Sequence, residues 1–389
     1  YHAYVEGINA MLKAYTQIRS SLTKVENELL RERLASLDQV LTPGFRSLNW
    51  NSLGIPDFLT LCNKAMNEFN SLLHQVHKNS SIIEGVVNSI EEQDLISEEI
   101  FGQAKEKIDL QEFYELVERH RLTIIDELVR KYKTIPPLLG KVEEAIAGTN
   151  TGRSDQLASY YLHWERAIFN ALTKMTLKSL VSFQKILNKS IQSSMEKDPY
   201  KTGPQPLFKI IAILVQPEIV IHPPMVDVSK LLGKLVNNLA RCSKAFTRWM
   251  HNTCMETPPQ YPSGSEDEEP VVFSYNLDIS KNHEVNKLIS TINDTISNSV
   301  SQVTRYIESW RKHQHIWKLD KNNVLDKFVS KNPVTLDFDK KLEEYCKTAE
   351  VIKQEPKVAQ CAFIQVSCDL LADSIIKEAE NWVKATINT

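Results

Sequence analysis

Apolar residues recur along the first forty positions at a helical step. Tyr1, Ile8, Tyr15, Leu22 and Leu29 stand seven apart, with Val5, Leu12, Ile18 and Val25 filling the same stripe. The spacing predicts one helix over about 2–41, roughly 60 Å long at 1.5 Å per residue. The stretch that follows reads LTPGFRSLNWNSLGIPDFLTL from Leu41 to Leu61. Pro43-Gly44 predicts the stop of the first helix. Asn51 or Ser52 is placed to cap the next, and Pro56 suits its first turn, where a missing N–H costs nothing. Phe45, Leu48, Trp50 and Leu53 form an apolar plug between the two rods, with Trp50 as its anchor. The second helix is expected from near Asp57 toward Ile90, with a weak point at Asn79-Ser80-Ser81.

A third helix should start at Asp109, where Glu112 completes the spacing of a capping box, and Pro136-Pro137 should kink or interrupt it before Gly148. A fourth is expected over about 154–195, striped by Leu157, Tyr161, Trp164, Ile168, Leu172, Met175, Phe183 and Leu187. Four long helices on short turns read as an up-and-down bundle. The texture changes at Lys197-Asp198-Pro199. Leu207–Val215 and Glu218–Ile221 are β-branched runs on either side of Gln216-Pro217, the pattern of a β-hairpin. A helix over about 226–251 follows, then TPPQYPSGSEDEEP from Thr257 to Pro270. That stretch has too few hydrophobes to offset the entropy of ordering and is expected to be a mobile loop. Val271-Val272-Phe273 could add to the hairpin's edge. The cleanest repeat, Ile289, Ile296, Val303, Trp310 and Trp317, predicts a helix over about 280–320. Another helix is expected over 337–353, an extended piece at Cys361–Val366 and a last helix over 370–382.

The fold expected is therefore mainly α: an elongated series of long-helix bundles with a small β-hairpin insertion near 206–222. Three blocks follow from texture: a first bundle over 1–197, a hairpin, helix and acidic loop over 198–279, and a second bundle over 280–389. The chain has 389 residues, more than one ordinary core, so several units of packing are anticipated. Its beginning at Tyr1 rather than Met, and its stop at Thr389 without a cap, read as a piece of a longer polypeptide.

Charge and composition remove several classes of function. Lys and Arg number 46 against 49 Asp and Glu, so no long-range positive field for nucleic acid exists. No apolar run reaches the roughly 18 residues of a membrane span. The six cysteines show no paired spacing, which fits reduced thiols. Glycine is scarce, 11 residues, which suits long helices more than a catalytic α/β sheet.

Candidate chemistry is thin. Gly140-Lys141 is the nearest approach to a phosphate loop and lacks the earlier glycine, so no nucleotide cofactor is expected. His74 and His77 share a helical face, and His251 with Cys254 has ligand-like spacing, but no second pair completes a zinc pattern. His313 and His315 point apart on a helix, and His283-Glu284 lacks the second histidine of a zinc protease. Glu91-Glu92 and Glu98-Glu99 read as solvated faces. Ser263 and Ser265 each precede an acid by three, the pattern of an acid-directed kinase site, although a solubilising loop accounts for the same composition. No catalytic, cofactor-binding or metal residue is assigned. The tryptophans Trp50, Trp249, Trp310, Trp317 and Trp382, with Trp164, lie on or beside apolar stripes. They are read as packed joints, because each ring hides a large apolar area.

Four elements resemble the stem of dynein heavy chains: LTPGFRSLNW at Leu41–Trp50; PLFKIIAILVQPEIVIHPP at Pro206–Pro224 with the helix after it to the FTRW at Phe246–Trp249; YIESWRKHQHIWKLDK at Tyr306–Lys321; and Phe363–Trp382. The order of these elements along one chain carries the resemblance, and their wording is closer to axonemal than to cytoplasmic members. The resemblance implies a non-enzymatic segment of the tail, ahead of the linker and motor, that transmits force between a cargo-bound base and an ATP-driven head. It further implies docking to other dynein heavy, intermediate or light chains, the doublet microtubule reached through the complex, and location in the cytoplasm and ciliary axoneme. Pro43, Gly44, Trp50, Trp249, Trp310, Trp317 and Trp382 are then structural residues. Periodicity alone also allows a non-motor helical rod, such as a vesicle-tethering subunit.

Overall fold

A computed structural model describes residues 2–46, 48, 54–97, 100, 109–147, 155–192, 207–248 and 274–388. The chain divides into two compact units. Unit 1 comprises Tyr1–Gln93, Ile124–Met175 and Ser243–Ile279, and unit 2 comprises Asp94–Thr123, Thr176–Cys242 and Ser280–Thr389. These contact units interleave along the chain, whereas the blocks drawn from composition are contiguous.

In unit 1 the expected first rod is three helices: α1 (His2–Ser21), α2 (Lys24–Leu29) and α3 (Arg31–Arg46). The break has a local cause. Thr23 Oγ1 accepts from the Glu26 N–H at 3.2 Å, and Glu26 Oε2 accepts from the Thr23 N–H at 3.0 Å. This reciprocal capping box starts a new helix in the middle of the apolar stripe. Pro43-Gly44, in turn, does not stop α3, which continues to Arg46. Pro43 lies inside α3, and the chain then turns through a bond from the Leu48 N–H to the Pro43 carbonyl at 2.9 Å. Trp50 and Leu53 lie outside the described residues.

Helix α4 (Ile55–Glu92) starts after Gly54, which holds φ at 88°, and carries Pro56 in its first turn as expected. It runs for 38 residues without a break at Asn79-Ser80-Ser81. Val76 and Ile83 are buried on either side of that point, and Ser80 Oγ is hydrogen bonded to the Tyr160 hydroxyl at 2.7 Å. Helix α5 (Leu110–Tyr132) is capped by Asp109, whose Oδ1 accepts from the N–H groups of Gln111 and Glu112. Pro136 and Pro137 fall in the first turn of α6 (Ile135–Ala147), where their missing donors leave no bond unmade. Helix α7 (Asp155–Gln192) follows, and the division between units falls within both α5 and α7. The core of unit 1 is formed where α1, α3 and α6 pack on α4, burying Met11, Leu37, Leu41, Cys62, Met66 and Val142.

Unit 2 is built on a four-stranded sheet of order β2-β1-β4-β3. Strands β1 (Phe208–Val215) and β2 (Glu218–His222) are the expected hairpin, paired Val215 to Glu218 around the two-residue turn. The single extended piece expected at 361–366 is a second hairpin, β3 (Val358–Cys361) and β4 (Ile364–Ser367), turned at Ala362 with φ of 57°. Parallel pairing of Phe208 with Ile364 through Ile211 with Ser367 joins the two hairpins. Phe208, Ile210, Ala212, Ile364 and Val366 are buried on one face, where the Phe208 ring meets those of Phe113 and Phe363.

Helix α8 (Met225–Ala240) ends eleven residues before the expected His251, passing into a 3₁₀ turn at Cys242–Ala245. After the short α9 (Asn276–Ile279), which belongs to unit 1, α10 (His283–Ser309) begins at Asn282, whose Oδ1 accepts from Glu284 and Val285 N–H. The rod expected to Asp320 ends at Ser309. Trp310–His313 is a 3₁₀ turn, and α11 (His315–Lys318) is separate. The seven-residue stripe of α10 faces inward on α8, burying Ile292, Ile296, Val303 and Ile307. Helix α12 (Lys321–Val329) was not anticipated. Helices α13 (Thr335–Gln354) and α14 (Asp369–Ile387) pack on each other, and α14 also packs on β1. The TPPQYPSGSEDEEP stretch and Val271–Phe273 lie outside the described residues.

Candidate functional site

Three local constructions stand out among the described residues, two of them at residues expected to form joints. The first is the end of α3. A Cβ on Gly44 would stand 3.0 Å from Phe58 Cζ and 3.1 Å from its Cε1, so the ring of α4 occupies the space that a side chain would need. Gly44 therefore acts as a packing notch against that ring. Gly44→Ala should be nearly neutral, because about 1 kcal/mol of helix propensity offsets the crowding. Gly44→Val should destabilise by about 1–2 kcal/mol through overpacking. Equal melting temperatures for wild type and the valine variant would show that Phe58 moves aside freely.

The second construction lies in unit 2. Trp382 of α14 is 1% exposed and donates its indole N–H to the Ile316 carbonyl of α11 at 2.6 Å. Tyr345 of α13 stacks on the same ring, centroids 5.1 Å apart. The next residue of α11, Trp317, donates to the Pro217 carbonyl in the β1–β2 turn at 3.2 Å. Trp310 is buried beside His313 in the 3₁₀ turn that leads into α11. Trp317 and Trp382 thus link α11, α13, α14 and the β1–β2 hairpin. Trp249 lies outside the described residues.

The third was not anticipated. Arg248 Nε donates to Glu165 Oε1 at 2.6 Å, with the two side chains 1% and 0% exposed, and Arg248 Nη1 lies 3.7 Å from Asp278 Oδ2. Tyr132 donates its hydroxyl to the Thr247 carbonyl at 2.5 Å, and the Arg248 guanidinium lies over the Tyr275 ring at 5.6 Å. Burial pushes the Tyr132 and Tyr275 hydroxyls well above the ordinary tyrosine range. The residues that return the chain to unit 1 are thereby pinned to α5 and α7. One signal was present in the sequence: Glu165 stands on the apolar stripe of α7 between Tyr161 and Ile168, where a charge needs a partner.

His251 and Cys254 lie outside the described residues, and the described histidines are grouped into no metal site. His77 Nδ1 lies 3.0 Å from Glu26 Oε1, the carboxylate of the capping box, and His313 lies 3.5 Å from Glu355. Among the described residues no three His, Cys, Asp or Glu side chains are grouped to hold a metal, and no helix is long and apolar enough to cross a membrane. Burial raises the thiols of Cys361 and Cys368 to about 11 from an ordinary 9.0. The unfolded chain then releases these protons first, so stability present below pH 9 is lost as the pH climbs toward 11. Melting temperature should fall over that window. At pH 8 a thiol reagent should label exposed Cys346 at least about a hundredfold faster than these two. Comparable rates would mean that the β3–β4 hairpin opens readily.

These features define a helical scaffold protein whose polar chemistry is spent on internal joints. Residues 1–58 match the family described as dynein heavy chain, N-terminal region 1. Over 99% of its length the chain is 45% identical to the dynein-1-alpha heavy chain of the flagellar inner arm I1 complex of Chlamydomonas reinhardtii. It is 35% identical, over 98% of its length, to human dynein axonemal heavy chain 10, and 20% identical, over 91%, to the flagellar outer arm dynein gamma chain of C. reinhardtii. The chain belongs to the dynein heavy chain family and corresponds to a segment of the N-terminal, stem region of its axonemal members. It spans about 8% of the length of the first two relatives.

Proposed function

We propose that the chain is a stem segment of a ciliary dynein heavy chain that carries force between the cargo-bound tail base and the ATP-driven, microtubule-engaged head. The observation that carries this reading is the 45% identity maintained over 99% of the chain. The same comparison favours an inner-arm heavy chain of the I1-alpha kind, since identity falls to 20% against the I1-beta chain and the outer-arm gamma chain. Its place is the axoneme of a cilium, within the cytoskeleton, and its partners are other dynein heavy, intermediate or light chains that bring it to the doublet microtubule. The segment itself needs no cofactor.

Packed joints are the feature that force transmission requires, because each must hold until its buried rings and ion pairs are exposed together. Single-molecule pulling on the chain, held at its two ends, tests the proposal. Unfolding should begin only above the stall force of a single dynein head. Extension below that force would leave the segment unable to pass on the motor's stroke.

A further inference from the structure

The turn between α10 and α11 holds a buried histidine that packing alone does not explain. His313 closes the 3₁₀ turn Trp310–His313 and is 6% exposed. Its Nε2 is buried and makes no hydrogen bond among the described residues. Glu355 Oε2, at the junction of α13 and β3, lies 3.5 Å away. That carboxylate is already engaged, because its Oε1 forms an ion pair with Lys312. An apolar ring would fill the same space without burying an unbonded nitrogen, which carries a cost.

The charges around the ring do not welcome a second cation. Lys312 precedes it, and His315 stands two residues on. On α10, Glu308 is taken by Arg311 at 3.5 Å, and the Tyr306 hydroxyl is donated to the Pro356 carbonyl at 2.9 Å. On α11, Lys318 lies 3.6 Å from Glu218. Past Glu355, Lys357 lies 3.7 Å from Asp373 of α14. Burial therefore holds the pKa of His313 below the ordinary 6.5; Glu355 opposes that shift, and Lys312 and His315 add to it.

We propose that His313 is a proton-operated latch on this turn. Neutral, the ring lets Trp310–His313 stay packed beside the end of α13. Protonated, it is drawn out to water and lifts the turn with it. The turn leads directly into α11, whose Ile316 carbonyl accepts from Trp382 and whose Trp317 donates to the Pro217 carbonyl. Acid thus loosens the joint of α11 with α14 and the β1–β2 hairpin, and releases the Lys312–Glu355 tie. The unfolded chain takes up this proton at the ordinary 6.5 and the folded chain only at lower pH. Stability is then complete above 6.5 and is lost as the pH falls below it toward the folded value.

Histidine labelled with carbon-13 at Cε1 reads the proton directly in the 389-residue chain, with the His313 resonance assigned by its absence in His313→Gln. Its midpoint should fall below 6.5, and Glu355→Gln should lower it further by removing the opposing charge. A midpoint at or above 6.5 in the wild type overturns the proposal, as does one that Glu355→Gln leaves unmoved or raises. Hydrogen exchange, corrected for its intrinsic pH dependence, reads the latch. From about pH 7.5 to about pH 5.5, exchange in peptides covering 310–320 should quicken at least about threefold more than in peptides covering 285–300. In His313→Phe, whose ring packs in the same space and takes no proton, that difference should vanish, while His315→Gln should retain it. Exchange over 310–320 that is indifferent to pH in the wild type overturns the proposal. So does a difference that persists in His313→Phe, since another group would then sense the proton. Should that variant not fold, the titrations of the wild type and of Glu355→Gln decide.

Discussion

Arg248→Ala should destabilise unit 1 by about 3–5 kcal/mol, the cost of leaving a buried charge without its counter-charge. The reason lies with Glu165 more than with the arginine. Its side chain is fully buried, one oxygen takes the 2.6 Å bond from Arg248, and the other has no hydrogen-bond partner among the described residues. Removing the guanidinium strands that carboxylate and also takes away the ion pair with Asp278 and the cation over the Tyr275 ring. The pair itself need not stabilise the fold, because two charges withdrawn from water lose about as much hydration as they gain from each other. Arg248→Met combined with Glu165→Met should therefore recover most of the loss, and the double-mutant cycle should show strong coupling. Hydrogen exchange in peptides covering 160–170 reads the effect locally, which matters in a chain of two units where a single melting curve is not two-state. Protection within 1 kcal/mol of wild type in Arg248→Ala would falsify the account, as would a double variant no better than the single.

Trp382→Ala should cost unit 2 about 3–5 kcal/mol, the range for removing a large buried ring. Three losses coincide: the packed indole, the Tyr345 stacking surface and the donor to the Ile316 carbonyl. Trp382→Phe separates them. It keeps most of the apolar area and leaves the carbonyl unpaired, which should cost about 1–3 kcal/mol. Denaturant titration followed by exchange in α11 and α14 gives both values. If alanine and phenylalanine behave alike, the hydrogen bond and not the ring holds the joint; if neither matters, the joint is not structural.

Much of the secondary structure was legible because it depends on residues close in sequence. Apolar steps of three and four placed α4, α5, α7, α10, α13 and α14, and the β-branched runs around Gln216-Pro217 placed the hairpin. The order of LTPGFRSLNW and the later motifs carried the resemblance to the dynein stem. The break at Thr23 was also legible in Thr-Lys-Val-Glu, but a continuous apolar stripe overshadowed it: the stripe reports which face is buried, not whether the backbone beneath it is unbroken. Pro43-Gly44 misled for a different reason. Punctuation residues state what the chain tolerates locally, and here the helix runs on to Arg46 with the ring of Phe58 filling the space beside Gly44. The parallel pairing of β1 with β4 and the ion pair of Arg248 with Glu165 were decided only by tertiary structure. Neither partner is near the other in sequence, and nothing local to either strand or either charge names its mate. Periodicity fixes which faces must be hidden from water; which buried surface, or which opposite charge, does the hiding is settled when the whole chain packs.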